Sequence, residues 1–261
     1  MLILLPPSEG KTAPRRGAPL SLSGLSLPSL SAARMAVVDA LVALCSGDPA
    51  VAMETLGVPK TQPELVALNA SLLSAPTARA DAIYTGVLYD ALDAATLSTA
   101  AKRRAASRVM VTSSVFGLVG FGDRIPAYRL SGDSRLPGLG DTGSVQAHWR
   151  RHLGVGALEA LGSGLLVDLR SGTYAAFWRP DEVAARTATV RVLHEVGGVR
   201  KVVSHFNKAT KGRIVRALME AGAAPRTPAA LADALRDLGW AVEVGAPGKA
   251  GVQLDVVVSE L

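Results

Sequence analysis

The sequence predicts a mixed α/β fold of 261 residues, and three observations carry that reading. Short apolar runs of strand length recur at 1–5, from Arg108 into Ser113-Ser114, at 165–169, at 188–196 and at 199–203. Between them, apolar residues fall at helical spacing over 32–46, 62–74, 145–160, 210–221 and 227–238. A strand, a polar hinge and a helix follow one another twice, at 165–178 and at 199–220, which is the pattern of a sheet covered by helices.

The opening run Met1-Leu2-Ile3-Leu4-Leu5 has no basic region before it and meets Pro6-Pro7 at once, so it reads as a first strand and not a signal sequence. Ser8-Glu9-Gly10-Lys11-Thr12 ends like a phosphate loop, but Pro6 stands where the leading glycine belongs. Two prolines cannot donate the N–H bonds of such a cradle, and Lys11 is left to point into a cleft. Thr12 to Ser31 is a surface excursion. Met35, Val38, Val42 and Cys45 form the stripe of the first helix, which makes Cys45 a core residue. The next helix starts near Pro63, with Leu65, Leu68 and Leu72 on its stripe. Leu56-Gly57-Val58-Pro59 reads either as a plain helical connection or as the turn of a helix-hairpin-helix element over 50–70.

In the segment 78–93, Tyr84 precedes Thr85-Gly86, and Tyr89 and Asp90 open a short helix. Half of the four tyrosines stand within six positions, so the segment is either a functional cluster or a core edge with Asp90 capping a turn. Neither Ser113 nor Ser114 has the flanking glycines of a nucleophile elbow, so both are hydrogen-bonding or capping groups. Arg129, after Pro126 and Tyr128, is held either for a carboxylate or phosphate or in a structural ion pair. Further on, Ser171 is a candidate N-cap, and Arg170 and Tyr174 project toward the strand ends. The strands at 188–196 and 199–203 are expected in the middle of the sheet, and Trp240 to Val258 as a terminal hairpin.

The densest chemistry lies in Ser204-His205-Phe206-Asn207-Lys208-Ala209-Thr210-Lys211-Gly212-Arg213, placed where a strand ends and a helix begins. Helix N-termini present unpaired N–H groups there, which suits anions. Lys211 falls at the start of the apolar face made by Ile214, Val215 and Leu218, a position that suggests a lysine over an interior cleft. Arg213 and Arg216 lie on the other face.

Hydrophobic residues make up 49% of the chain, enough to core one domain spanning 1–261. The formal charge of +6 favours phosphate-bearing partners. A single cysteine excludes an intrachain disulfide and fits a reducing, cytoplasmic setting. No stretch approaches the ~18 uninterrupted apolar residues that cross a bilayer. His148 and His152 share a helix face, but no glutamate follows the first and no cysteine pair exists, so neither a metal site nor a cofactor is expected.

Several motifs stand together in order along the chain. They are the proline-ended first strand with Lys11 beyond it, Tyr84-Thr85-Gly86-Val87-Leu88-Tyr89-Asp90, Ser113 to Leu118, Ile125 to Leu130, Trp149, and Ser204 to Arg213. In these the sequence resembles the peroxide stress response YaaA family. The resemblance implies a central mixed sheet wrapped by helices, a helix-hairpin-helix-like element near 50–70 and a basic cleft. It also implies a cytosolic DNA-binding protein that limits hydroperoxide damage and reactive intracellular iron. The cleft would be lined by Lys11, Tyr84, Asp90, Arg129, His205, Lys208, Lys211 and Arg213. Leu56-Gly57-Val58-Pro59 and the Pro6-Pro7 opening depart from the family pattern. Three functions follow: binding DNA through its backbone phosphates, an enzyme on a small anionic or nucleotide-like substrate with catalytic residues unassigned, or a structural protein with its polar clusters satisfied internally.

Overall fold

A computed structural model describes residues 1–259, with the backbone alone at Ser204; the last two residues of the expected 1–261 domain lie outside it. The strands are β1 (Leu2–Leu5), β2 (Ala78–Arg79), β3 (Val109–Ser113), β4 (Gly117–Gly120), β5 (Arg124–Ile125), β6 (Leu166–Asp168), β7 (Thr187–Val196), β8 (Val199–Lys201), β9 (Ala241–Gly248) and β10 (Gly251–Val258). The helices are α1 (Ser31–Cys45), α2 (Pro49–Leu56), α3 (Glu64–Ala70), α4 (Ala80–Ile83), α5 (Val87–Leu92), α6 (Thr99–Arg108), α7 (Val145–Leu161), α8 (Gly172–Ala175), α9 (Ser204–Ala221) and α10 (Pro228–Asp237).

The main sheet runs β4-β3-β1-β6-β7-β10-β9, with β8 paired to β7 off this path; β2 and β5 form a separate pair. β1 is parallel to both β3 and β6, in register Leu4↔Met110 and Leu4↔Asp168. Every residue of β1, β3 and β6 is buried, as parallel strands covered on both faces must be. Burying each leucine of β1 contributes about 1.5–3 kcal/mol. The expected mixed α/β fold with a central mixed sheet is therefore the observed one.

The strands expected at 1–5, from Arg108 into Ser113-Ser114 and at 165–169 are β1, β3 and β6, and the helix expected over 227–238 is α10, with Thr227 Oγ1 accepting from Ala230 N. Others are corrected. Val38 and Cys45 are buried as expected, but Met35 is exposed and α1 buries Arg34, Val37 and Leu41 beside them. The fully buried Arg34 donates to the carbonyls of Phe116, Leu118 and Leu27. By length and composition Pro28–Cys45 could cross a bilayer, but here it contributes a core helix. A separate helix, α2, precedes Gly57, where the sequence left a plain connection or a helix-hairpin-helix element open. Ser171 holds the N-cap position of α8 but makes no side-chain cap bond.

The run at 199–203 is not a mid-sheet strand. Gly197 and Gly198 both take positive φ, the geometry of a two-residue hairpin turn. They fold β8 antiparallel onto the end of β7, where it is exposed throughout. The long partner of β7 is β10, which enters parallel from Ala188↔Val252 to His194↔Val258. The terminal hairpin thus supplies an interior strand, and β9 an edge. The helix expected from 210 starts at Ser204, so the whole polar phrase lies within the first turns of α9.

Candidate functional site

The parallel order brings the chain segments after β1, β3 and β6 to one edge of the sheet, the place where open α/β sheets carry sites. Beyond β1, Pro6 to Lys11 crosses this edge and Lys11 forms an antiparallel bridge with Tyr84. The Lys11 ammonium donates to Ser8 O at 2.8 Å and lies 4.2 Å from the centre of the Tyr128 ring and 5.7 Å from that of Tyr84. Among the described residues it makes no ion pair. Burial, then the charge of Arg129, pull its pKa down to about 7; Glu9 opposes them.

The tyrosines share a chain of hydroxyls. Tyr84 and Tyr128 bond at 3.0 Å, Tyr128 and Ser113 at 2.8 Å, and Ser113 Oγ accepts from Phe116 N. Tyr89 stacks on Tyr84 at 5.4 Å and donates to Pro6 O. Tyr174 lies near enough to Arg129 and Glu9 to feel both charges. All four tyrosines of the chain therefore converge here, each with its pKa raised first by burial. Asn69 holds the backbone of Arg129 from both sides, donating to its carbonyl and accepting from its N–H. Half-buried at the rim, Arg129 makes no ion pair among the described residues, so the structural-pair alternative does not account for it.

One strand over, Asp168 and Arg170 form a buried bidentate pair at 2.8 and 2.7 Å, and Arg170 also donates to Trp178 O. Arg170 is thus committed inward. Lys211 donates to Leu169 O at 3.1 Å; burial lowers its pKa and Asp168 counters. Asn207, one turn earlier on the same face of α9, leaves its Oδ1 buried without a partner among the described residues. Gly212 sets this geometry: a Cβ there would lie 2.1 Å from Leu88 O, so only glycine lets α9 rest on α5.

Of the eight sequence candidates, Lys11, Tyr84 and Arg129 meet in one cluster, with Lys211 at the adjoining strand end. Asp90 is exposed and accepts from Gly86 N, capping α5. His205 and Lys208 are exposed on the first turns of α9, and Arg213 is exposed further along. Two open clefts, of about 470 and 560 Å³, lie elsewhere, and none of the eight lines either. The larger holds His148, His152, Arg150, Arg151 and Arg179. Among the described residues no group of three or more His, Cys, Asp or Glu could hold a metal ion. Tyr174 lies by the strand ends as its strand-turn-helix setting implies, whereas Tyr128 and Asn69 are not among the sequence candidates; the scarcity of tyrosine is the one signal for Tyr128.

The family model described as peroxide stress protein YaaA matches residues 1–244. A UPF0246 protein of Streptomyces coelicolor is 58% identical over 264 residues, covering 100% of each chain. Another, from Corynebacterium efficiens, is 45% identical over 249 residues, or 94% of this chain and 95% of its own. An uncharacterized protein of Campylobacter jejuni is 24% identical over 212 residues, 81% and 82% of the two chains. On the strength of the match over residues 1–244 and of these relatives, the chain belongs to the peroxide stress protein YaaA family.

Proposed function

We propose that this protein binds DNA through its backbone phosphates as part of a cytoplasmic response to hydroperoxide, limiting DNA damage and the reactive iron that causes it. The observation that carries the reading is Arg129 at the rim of the tyrosine cluster, its backbone fixed by Asn69 and its side chain in no ion pair among the described residues. A guanidinium carried on a fixed backbone and not already committed to a carboxylate is suited to a phosphate oxygen. Lys208 and Arg213 add exposed positive charge along α9. α2, Gly57 and α3 supply the helix-hairpin-helix-like part, with the exposed Lys60 beside its turn.

The test is fluorescence anisotropy with a labelled duplex across a salt series. Affinity should fall linearly in the logarithm of salt, and Arg129→Gln should weaken binding and reduce the slope by roughly one charge contact. Salt-independent binding, or no binding at low salt, would overturn it. A second reading, an enzyme acting on a small anionic or nucleotide-like substrate, is favoured by the lowered pKa of Lys11 beside buried hydroxyls. It predicts binding of mononucleotides or sugar phosphates in preference to duplex DNA.

A further inference from the structure

We infer that Lys11 is an imine-forming amine that captures an aldehyde carrying a nearby phosphate. The proposal rests on the DNA reading only for one of its two substrate sources. Four features of the geometry support it. Lys11 has no acidic partner among the described residues, and its contacts are the carbonyls of Ser8 and Glu9 and two ring faces. A lysine that is desolvated and set beside another cation is a usual way to keep an amine neutral and nucleophilic, and Arg129 is that cation. The Tyr128 ring, 4.2 Å from Nζ, favours whatever cation stands there, which an iminium is. The segment Ser8 to Lys11 is half-buried to exposed, so the amine lies at the rim and not in the core.

The step balances. The neutral Nζ attacks the carbonyl carbon, a C–N bond forms and the carbonyl π pair moves to oxygen. One proton passes from nitrogen to that oxygen, giving a carbinolamine. With one more proton from solvent the hydroxyl leaves as water, and the nitrogen lone pair closes the C=N bond of the iminium. Its remaining N–H can keep the bond to Ser8 O, while Arg129 takes the phosphate. Two sources share this chemistry: the ring-opened deoxyribose aldehyde of an abasic site in DNA, and a free sugar phosphate aldehyde.

The experiment traps the iminium with sodium cyanoborohydride, which delivers hydride to carbon and leaves a stable secondary amine. One arm uses a duplex with a single abasic site, another glyceraldehyde 3-phosphate, and a third propanal, which lacks phosphate. Peptide mass spectrometry should place the adduct on Lys11. At pH 7.4 it should form about tenfold or more faster than on ordinary exposed lysines, whose pKa of about 10.4 leaves them almost wholly protonated. Lys11→Met removes the amine without adding a charge and should abolish the adduct, with its melting temperature reporting that it still folds; Arg129→Gln should erase the preference over propanal. An adduct on the free aldehyde alone assigns the small-molecule source, and one on the abasic duplex the DNA source. No adduct in any arm, or adducts spread over exposed lysines such as Lys208, overturns the proposal. Binding of intact duplex, read separately by anisotropy, keeps the two readings distinct.

Discussion

Replacing Gly212 by alanine probes the contact that fixes the site from behind. The new Cβ would sit 2.1 Å from Leu88 O and 2.9 Å from Leu92 N, both backbone atoms that no rotamer change can move. Against an ordinary contact of about 3.4 Å the first is short by about 1.3 Å, so α9 must lift from α5. Overpacking of this kind costs about 1–3 kcal/mol. Moving Lys211 off Leu169 O would cost about 1.5–3 kcal/mol more, while the better helix propensity of alanine returns up to about 1 kcal/mol. The net loss is roughly 1.5–5 kcal/mol, which at ~2–4 °C per kcal/mol for a chain of this size is a fall in Tm of roughly 3–20 °C. Differential scanning calorimetry of the variant, beside Gly172→Ala, where a Cβ meets nothing within 4 Å, measures it. A Tm for Gly212→Ala within about 1 °C of the parent would refute the close-packing argument.

Arg34→Met strips three buried carbonyls of their donor and should cost roughly 3–5 kcal/mol in urea unfolding at unchanged m value, against less than about 0.5 kcal/mol for the exposed Arg103→Met. Stability should also follow pH in a defined sense. With its pKa lowered to about 7, folded Lys11 loses its proton while the unfolded chain keeps it up to about pH 10.4, so stability rises with pH across that window. Above about pH 10 the unfolded tyrosines ionise while the buried Tyr84, Tyr89 and Tyr128 stay protonated, and the slope reverses. Chemical denaturation from pH 6 to 10 checks this, and Lys11→Met should flatten the rising limb; a parent curve flat across the window would contradict it.

The sequence made the core strands legible because β1 is wholly apolar and β3 and β6 open on apolar runs before their polar ends, and the hydroxyls of Ser113 and Ser114 do bond as expected. What it hid were matters of partnership. Val199-Arg200-Lys201 reads as a strand but not as an arm folded back by two left-handed glycines. Arg34 carries a charge that pattern reading assigns to solvent, yet three carbonyls draw it inside. The pairing of β10 with β7 links residues far apart, and no local period announces it. For the same reason Lys11, Tyr84 and Arg129 could be picked out singly, while the gathering of all four tyrosines around them needed the sheet order.

The interior position of β10 bears on how the molecule is made. Seven residues of β7, from Ala188 to His194, have β10 as their sheet neighbour, and that strand is translated after everything it joins. Until β10 has been made and joins it, a nascent chain presents an open seam bearing Val190 and Val192, the sort of edge that chaperones shield and that sticks to other chains. Closure of the sheet is therefore a late event in biogenesis, and substitutions in β10 should show in the cell as loss of soluble yield before they show as loss of function.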